Sequence, residues 1–345
     1  MITQSFGQTR DGRDTELITI SNDNLCCTLT TYGASIVSLR VKDKARKQRD
    51  IVQGFDTVRA YEEQDKYIGA TIGRYANRIG GARFTLNDRE YRLSANEGRN
   101  HHHGGVCGFD KRIWNAVEVE DGVRFRLRSP HMDEGYPGNL DAAVKFTISG
   151  SALTIAYEAE SDSDTVCNLT NHAYFNLNGH GAGTAIGHML KLYSETYTPL
   201  SQEERIPYGA FETVSGTPMD FRVFTKIGER IDDDDEQLLF GGGYDHNWVV
   251  SGEPGRLRPA AEVYSPDSGI KMSVDTTMPG IQFYSGNYLN GCPAGKNGAN
   301  YSRRSAFCLE TQFFPNSPNC PEFPQPILKK TEVWQHTTVL SFDTV

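Results

Sequence analysis

Apolar and polar residues alternate with a period of two along nearly every readable stretch of this chain, and that pattern restricts it to strands. The alternation is clearest over 17–20, 26–32, 36–41, 123–127, 144–148, 153–157, 270–274 and 339–342. Between these segments stand turn signals such as Asn22-Asp23-Asn24, Asn87-Asp88, Glu120-Asp121-Gly122, Ser149-Gly150 and Pro266-Asp267-Ser268-Gly269, which predict antiparallel hairpins. Helical periodicity is confined to short pieces near 201–204 and 233–239. The expected class is therefore all-β, a large antiparallel β-sandwich of two sheets packed face to face. No repeat, linker or low-complexity tract interrupts residues 1–345, so a single domain is expected.

Composition closes several other possibilities. Hydrophobic residues make up 37% and aromatics 10%, enough for a substantial core, while 23% charged residues predict a wet exterior. No apolar run approaches the roughly 20 residues that span a bilayer, and the N-terminus lacks a basic start with an apolar stretch behind it. A cytoplasmic protein with no membrane partner is expected. A formal net charge of -9 argues against a phosphate-backbone binder, so nucleic acid is not an expected partner. The seven cysteines are odd in number and lack a C-x-x-C pair, which predicts reduced thiols. The acidic run Asp232-Asp233-Asp234-Asp235-Glu236 lacks the spaced ligands of a calcium loop and reads as a solvated loop leading into a helical turn.

Five stretches carry polar residues where strands or tight turns would aim them inward, against the usual apolar preference of cores. The first, Gly73-Arg74-Tyr75-Ala76-Asn77-Arg78-Ile79, offers a guanidinium fork at Arg74 for sugar oxygens or a carboxylate, and an amide at Asn77. A structural ion pair is the competing reading for Arg74 and the stronger one for Arg78. The second, Asn100-His101-His102-His103-Gly104-Gly105, tempts a metal assignment. In an extended chain only His101 and His103 share a side, short of the three protein ligands a catalytic metal usually takes, so no metal is expected unless a distant carboxylate joins them. In the third, alternation places Asn168, Thr170, His172 and Tyr174 on one side, which suits His172 to proton donation near neutral pH. The fourth, Gly241-Gly242-Gly243-Tyr244-Asp245-His246-Asn247-Trp248, mixes carboxylate, amide and ring in the manner of a sugar site. The fifth sets Glu310 in mid-strand in Phe307-Cys308-Leu309-Glu310-Thr311-Gln312, costly unless it is paired or functional.

Together these stretches resemble the aldose 1-epimerase, or galactose mutarotase, family. Six segments match its pattern in order: residues 73–79, 100–105, 170–177, 243–247, 279–287 and 309–319. Gly108-Phe109-Asp110-Lys111 and Gly135-Tyr136-Pro137-Gly138 are also similar to family segments. The resemblance implies a large β-sandwich, the mutarotase supersandwich, with an open cleft for a free monosaccharide and no cofactor. It implies Glu310 as general base and His172 as general acid, with His103, Arg74, Asp245 and Gln282 binding sugar; Asn77 is grouped with them. His102 stands where the family usually has leucine, Asn316 where it has aspartate, and Lys329-Lys330-Thr331 where it often has Arg-Pro-Gly.

The chemistry so implied is ring opening. A base takes the C1 hydroxyl proton while an acid protonates the ring oxygen, and closure on the other carbonyl face inverts C1. Glu310 is expected to start ionised and His172 protonated, with Arg74 and His103 on the ring-oxygen side and Asp245 and Gln282 on the remaining hydroxyls. A non-catalytic carbohydrate-binding module would share the cleft and lack the pair. A glycoside hydrolase or lyase would instead use two carboxyl groups, for which Glu310 and Asp245 are the candidates. A phosphorylated-sugar epimerase would want a basic pocket that the motifs do not display.

Overall fold

The alternating segments become strands of antiparallel sheets in the computed structural model, which describes residues 1–345. The largest sheet has nine strands in the order Asn115–Val119, Gly122–Ser129, Leu140–Ser149, Ala152–Ser161, Val333–Thr344, Ile270–Thr276, Arg258–Tyr264, Met189–Leu192, Thr225–Lys226. A five-stranded sheet built from Ile2–Gln8, Asp14–Ser21, Cys26–Thr30, Ser35–Lys42 and Gln48–Asp50 forms the N-terminal part. A second five-stranded sheet runs Glu212–Thr213, Thr196–Thr198, Asp245–Val249, Gly280–Tyr284, Cys308–Gln312.

All five expected turns close hairpins, each for a local reason. Asn87 and Asp88 both take positive φ, at 52° and 60°, as a two-residue turn between right-twisted strands requires. The Asn22 side chain accepts from the backbone of Asn24 and Leu25, both at 2.9 Å, and so bends the chain itself.

Period two also dictates how the sheets stack. Along Cys308–Gln312 and Gly280–Tyr284, Leu309, Ile281 and Phe283 point to one side and join Val144, Val274 and Leu340 of the nine-stranded sheet. The resulting cluster of 57 buried residues draws members from Ile18 to Phe342. A 2.5 Å hydrogen bond between the hydroxyls of Thr311 and Thr338 crosses the same interface. The alternate residues Cys308, Glu310, Gln282, Tyr284 and Asp245 are thereby turned to the opposite face.

Only two short α-helices form, Val58–Glu63 and Glu236–Gly241. The first was not expected: six residues are too few to show a helical period, and only Val58 and Tyr61 are buried. Residues 202–204 form a turn rather than the expected helix. The acidic run is spent as anticipated on surface structure. Asp235 caps the second helix by accepting from Gln237 and Leu238, and Asp232 pairs with Arg304 at 2.7 and 2.8 Å. No helix is long and apolar enough to cross a membrane.

Three histidines outside the cleft are buried as neutral rings. Burial pushes His101 and His188 down to about 4 and His246 to about 3. In the unfolded chain the same rings titrate near 6.5, so between these values the unfolded state binds more protons and stability rises with pH. The stability these groups contribute is complete above about pH 6.5 and is lost as pH falls toward 4, at about 1 to 2 kcal/mol per ring by pH 5. The urea midpoint is expected to fall clearly between pH 7 and pH 5; an unchanged midpoint would contradict the buried neutral state.

Candidate active site

A cleft of about 360 Å³ opens on the polar face of the second five-stranded sheet. Glu310 and Asp245 rise into it from Cys308–Gln312 and Asp245–Val249, on either side of the strand that carries Gln282. The register sets Gln282 opposite both Glu310 and Asn247. Gln282 stays below the cavity surface, where its amide donates to Asp245 Oδ1 at 2.8 Å and holds that carboxylate in place.

The facing wall comes from loops. His172 follows the two-residue strand Thr170–Asn171 and lies between Tyr174, stacked at 5.0 Å, and Tyr67 at 6.0 Å. Its Nε2 is 3.6 Å from Glu310 Oε1, and both side chains are almost fully buried. His103 packs against Tyr67 at 4.6 Å and against His172 at 5.2 Å. Close packing behind His103 explains the following glycine: a Cβ at Gly104 would fall 1.8 Å from the Gly73 carbonyl oxygen, and its φ is +87°.

The alternation expected in the histidine run breaks at its last member. His103 takes φ +49°, so His102 rather than His101 lines the cleft beside it, the two rings 3.8 Å apart. His101 turns into the core, its Nδ1 on the Ser94 carbonyl and its Nε2 on the Tyr136 hydroxyl, both at 2.7 Å. Asn168 and Thr170 also lie away from the cavity. Asn168 bridges the backbones of Ala76 and Phe313, and only His172 and Tyr174 of that face reach the cleft.

The two arginines of the first stretch exchange their expected places. Arg74 is 1% exposed and lies outside the cleft; its fork donates to the carbonyls of Ser129, Pro130, Pro137 and Gly138 and to the hydroxyls of Ser129 and Thr165. It is a clamp on the 129–138 segment. Arg78 is the cleft guanidinium, in a two-pronged pair with Glu97 at 2.6 and 2.7 Å. The ion pair weighed for Arg78 is real, yet it sits on the cavity wall. Both arginines occupy one motif, and no feature of the sequence separates a guanidinium spent on carbonyls from one facing solvent.

Asn77 lines the cleft in a left-handed conformation (φ +65°) and fixes two neighbours. Its carbonyl side-chain oxygen accepts from Arg78 N–H, and its own N–H donates to His103 Nδ1 at 3.1 Å. An Nδ1 that accepts must be unprotonated, so neutral His103 carries its hydrogen on Nε2. Tyr67, Glu97, Tyr284 and Tyr288 complete much of the wall, and none was anticipated. Tyr284 was legible, two residues beyond Gln282 on the same face; Tyr67 and Glu97 come from loops that no period marks.

Burial sets the charges. It drives Glu310 well above the ordinary carboxylate range, helped by Asp245 and opposed by Arg78, and it pushes His172 down to about 4. His102 and His103 are likewise held neutral by burial and by the neighbouring cations and rings. Burial therefore favours a protonated Glu310 and a neutral His172 over the carboxylate and imidazolium expected from sequence. The two descriptions contain the same single proton and differ only in which group bears it.

His103, His172 and Glu310 bring three potential ligand atoms within 4.8 Å of one another, close enough for a transition metal. Their hydrogen-bond chemistry does not fit one. His103 spends its Nδ1 lone pair on Asn77 N–H and presents Nε2–H, so two ligands remain where three are needed. Of the departures from the family pattern, only His102 borders the cleft. Asn316 accepts from Gly80 N–H at 3.0 Å and donates to the Pro207 carbonyl, and Lys329 with the Lys330 backbone engages Asp164.

The family model described as aldose 1-epimerase matches residues 16–341. The chain is 40% identical over 338 residues to galactose mutarotase of Bos taurus, covering 98% of this chain and 97% of that protein. It is 36% identical to aldose 1-epimerase of Escherichia coli (strain K12), covering 99% of each. Among solved structures it resembles the GalM/aldose epimerase homologue from C. elegans, with a TM-score of 0.88 and 30% identity over 96% of this chain and 99% of that one. Galactose 1-epimerase from Lactobacillus acidophilus NCFM superposes with a TM-score of 0.86 at 26% identity, covering 100% and 99%.

The two arginines separate experimentally. Arg74→Met removes a donor from the buried carbonyls of Ser129, Pro137 and Gly138 and is expected to cost about 3 kcal/mol or more in unfolding free energy, since each unmet buried acceptor costs about 1 to 3 kcal/mol. Activity per folded molecule should survive. Arg78→Met should fold normally and raise KM about tenfold, the scale of one lost charge-assisted hydrogen bond. Thermal unfolding and polarimetric kinetics distinguish them, and the reverse pattern would restore Arg74 to the sugar site.

Proposed function

The chain belongs to the aldose 1-epimerase family and is an isomerase that interconverts the α and β anomers of a free aldohexose such as galactose or glucose; we propose that Glu310 and His172 are its base and acid. The observation that carries this reading is the 3.6 Å approach of the two side chains inside one buried cleft. One proton shared by that pair suffices for the whole cycle. With sugar bound, a C1 hydroxyl donating to Glu310 and a ring oxygen accepting from His172 favour the carboxylate–imidazolium arrangement of that proton. Ring opening then moves the hydroxyl proton to Glu310 and the Nε2 proton to the ring oxygen. This returns the pair to its neutral arrangement, the one that burial favours. Rotation about the C1–C2 bond presents the other aldehyde face, and closure reverses both transfers. No proton has to enter from solvent.

Around this pair, His103 donates Nε2–H, Arg78 supplies a fixed charge, and Asp245, held by Gln282, accepts from hydroxyls. Asn77 acts through His103 and Arg78. The ring faces of Tyr67 and Tyr174 cover the apolar side of a sugar. The cluster running from Ile18 to Phe342 supports reading residues 1–345 as one domain, and seven free cysteines support a cytoplasmic setting.

Glu310→Gln and His172→Asn are each expected to lower kcat by about 10² to 10⁴ with the fold retained, the usual contribution of a positioned acid or base. Polarimetry of freshly dissolved α-galactose and α-glucose reads this directly, and near-normal decay in either variant would overturn the assignment. EDTA should leave the rate unchanged, because the His103 hydrogen-bond arrangement denies a metal its third ligand; loss of activity in the chelator would show that arrangement to be wrong.

A further inference from the structure

His172 has two ring nitrogens, and only one of them faces Glu310. The other, Nδ1, has one side-chain partner, the Cys308 sulfur at 3.5 Å, while the residue's own backbone carbonyl is a further hydrogen-bond acceptor for the ring. Cys308 and Glu310 are two residues apart on Cys308–Gln312 and so project from the same face of that strand. One strand therefore supplies the partner of each imidazole nitrogen. We propose that Cys308 is a positioning residue for the reaction: its sulfur receives the Nδ1–H of His172 and so keeps Nε2 as the one nitrogen that exchanges a proton with Glu310 and the sugar.

The inference rests on the acid–base reading of the pair given above, and it follows from where the shared proton must travel. When Glu310 holds that proton, Nε2 has to offer a lone pair, which puts the ring hydrogen on Nδ1. When the ring is an imidazolium, Nδ1 still carries its hydrogen. Nδ1–H is thus constant through the cycle and needs an acceptor throughout. The groups that pack on the ring are Glu310, Cys308, Tyr67, His103, Tyr174 and Tyr284, and of these only Cys308 reaches Nδ1.

A thiol suits this post better than stronger acceptors would. Sulfur accepts weakly and is polarisable, so it orients the ring without tying the proton to it. A carboxylate in its place would stabilise the imidazolium and make His172 a poorer acid toward a ring oxygen. Cys308 stays a neutral thiol, because burial first and then Glu310 and Asp245 hold it well above the usual thiol range.

The test compares Cys308→Ala, which removes the acceptor, with Cys308→Ser, which keeps an acceptor of similar shape. Cys308→Ala is expected to lower kcat about tenfold, at the low end of what losing the partner of a functional imidazole costs, with KM within about twofold. Cys308→Ser should recover to within about threefold of the parent. The ¹⁵N resonances of His172 should report Nδ1–H in the parent and the serine variant and a shift toward Nε2–H in the alanine variant. Equal rates for alanine and serine, or an Nε2–H ring in the parent, would overturn the inference. His172→Asn at full activity would instead remove the acid–base reading beneath it, so the two failures are told apart.

Discussion

The structure depends on one constraint: a strand has two faces, and Cys308–Gln312 must satisfy different demands on each. Leu309 joins the core shared with the nine-stranded sheet, and Thr311 bonds across to Thr338. Burying those two forces Cys308, Glu310 and Gln312 to the other side, where Glu310 enters the cleft and Cys308 packs in a second cluster with Tyr174 and Tyr284. A slip of one residue would send a carboxyl into the apolar core and lose the site together with the packing, so register and function are fixed by the same hydrophobic contacts.

The same burial gives the cleft its electrical character. Removed from water, Glu310, His172, His102 and His103 are all pushed toward their uncharged forms. Arg78 with Glu97 supplies a paired charge on the cleft wall, and direction comes from hydrogen bonds such as those from Asn77 to His103 and from Gln282 to Asp245. A neutral pair one proton away from an ion pair is well matched to a reaction that shuttles a proton between two oxygens of one sugar. In the proposed mechanism the substrate's own hydroxyl and ring oxygen decide which arrangement is the lower in energy, and solvent exchange is not required.

The remaining parts of the motifs serve as scaffold at close range. Arg74 ties together carbonyls at Ser129, Pro130, Pro137 and Gly138, behind the wall that holds the histidine run. Asn168 splices two loops, and Asn316 pins the chain leaving Cys308–Gln312 to Gly80 and Pro207. Residues of this kind sit in the same short stretches as the cleft residues because one tight loop must both shape itself and present a side chain. His102 alone among the departures changes the cavity wall, adding an imidazole where the family pattern has an aliphatic chain.

The antiparallel all-β class, the hairpin positions and the polar stretches holding Glu310, His172, His103 and Asp245 were legible in the residue order, and the family resemblance implied that the four share one site. The class, the hairpins and the polar stretches follow from period two and from the cost of burying polar groups, both local properties of the chain. Where the backbone left the extended state, at His103 and Asn77 with positive φ, the alternation argument failed, and His102 entered the cleft in place of His101. Three-dimensional packing chose Arg78 over Arg74 for the cleft, brought in Tyr67 and Glu97, set Cys308 against His172, and buried Glu310 beside His172. Each of these depends on which distant segment lies a few ångströms away and on how much water it displaces, and neither quantity is written in the order of the residues.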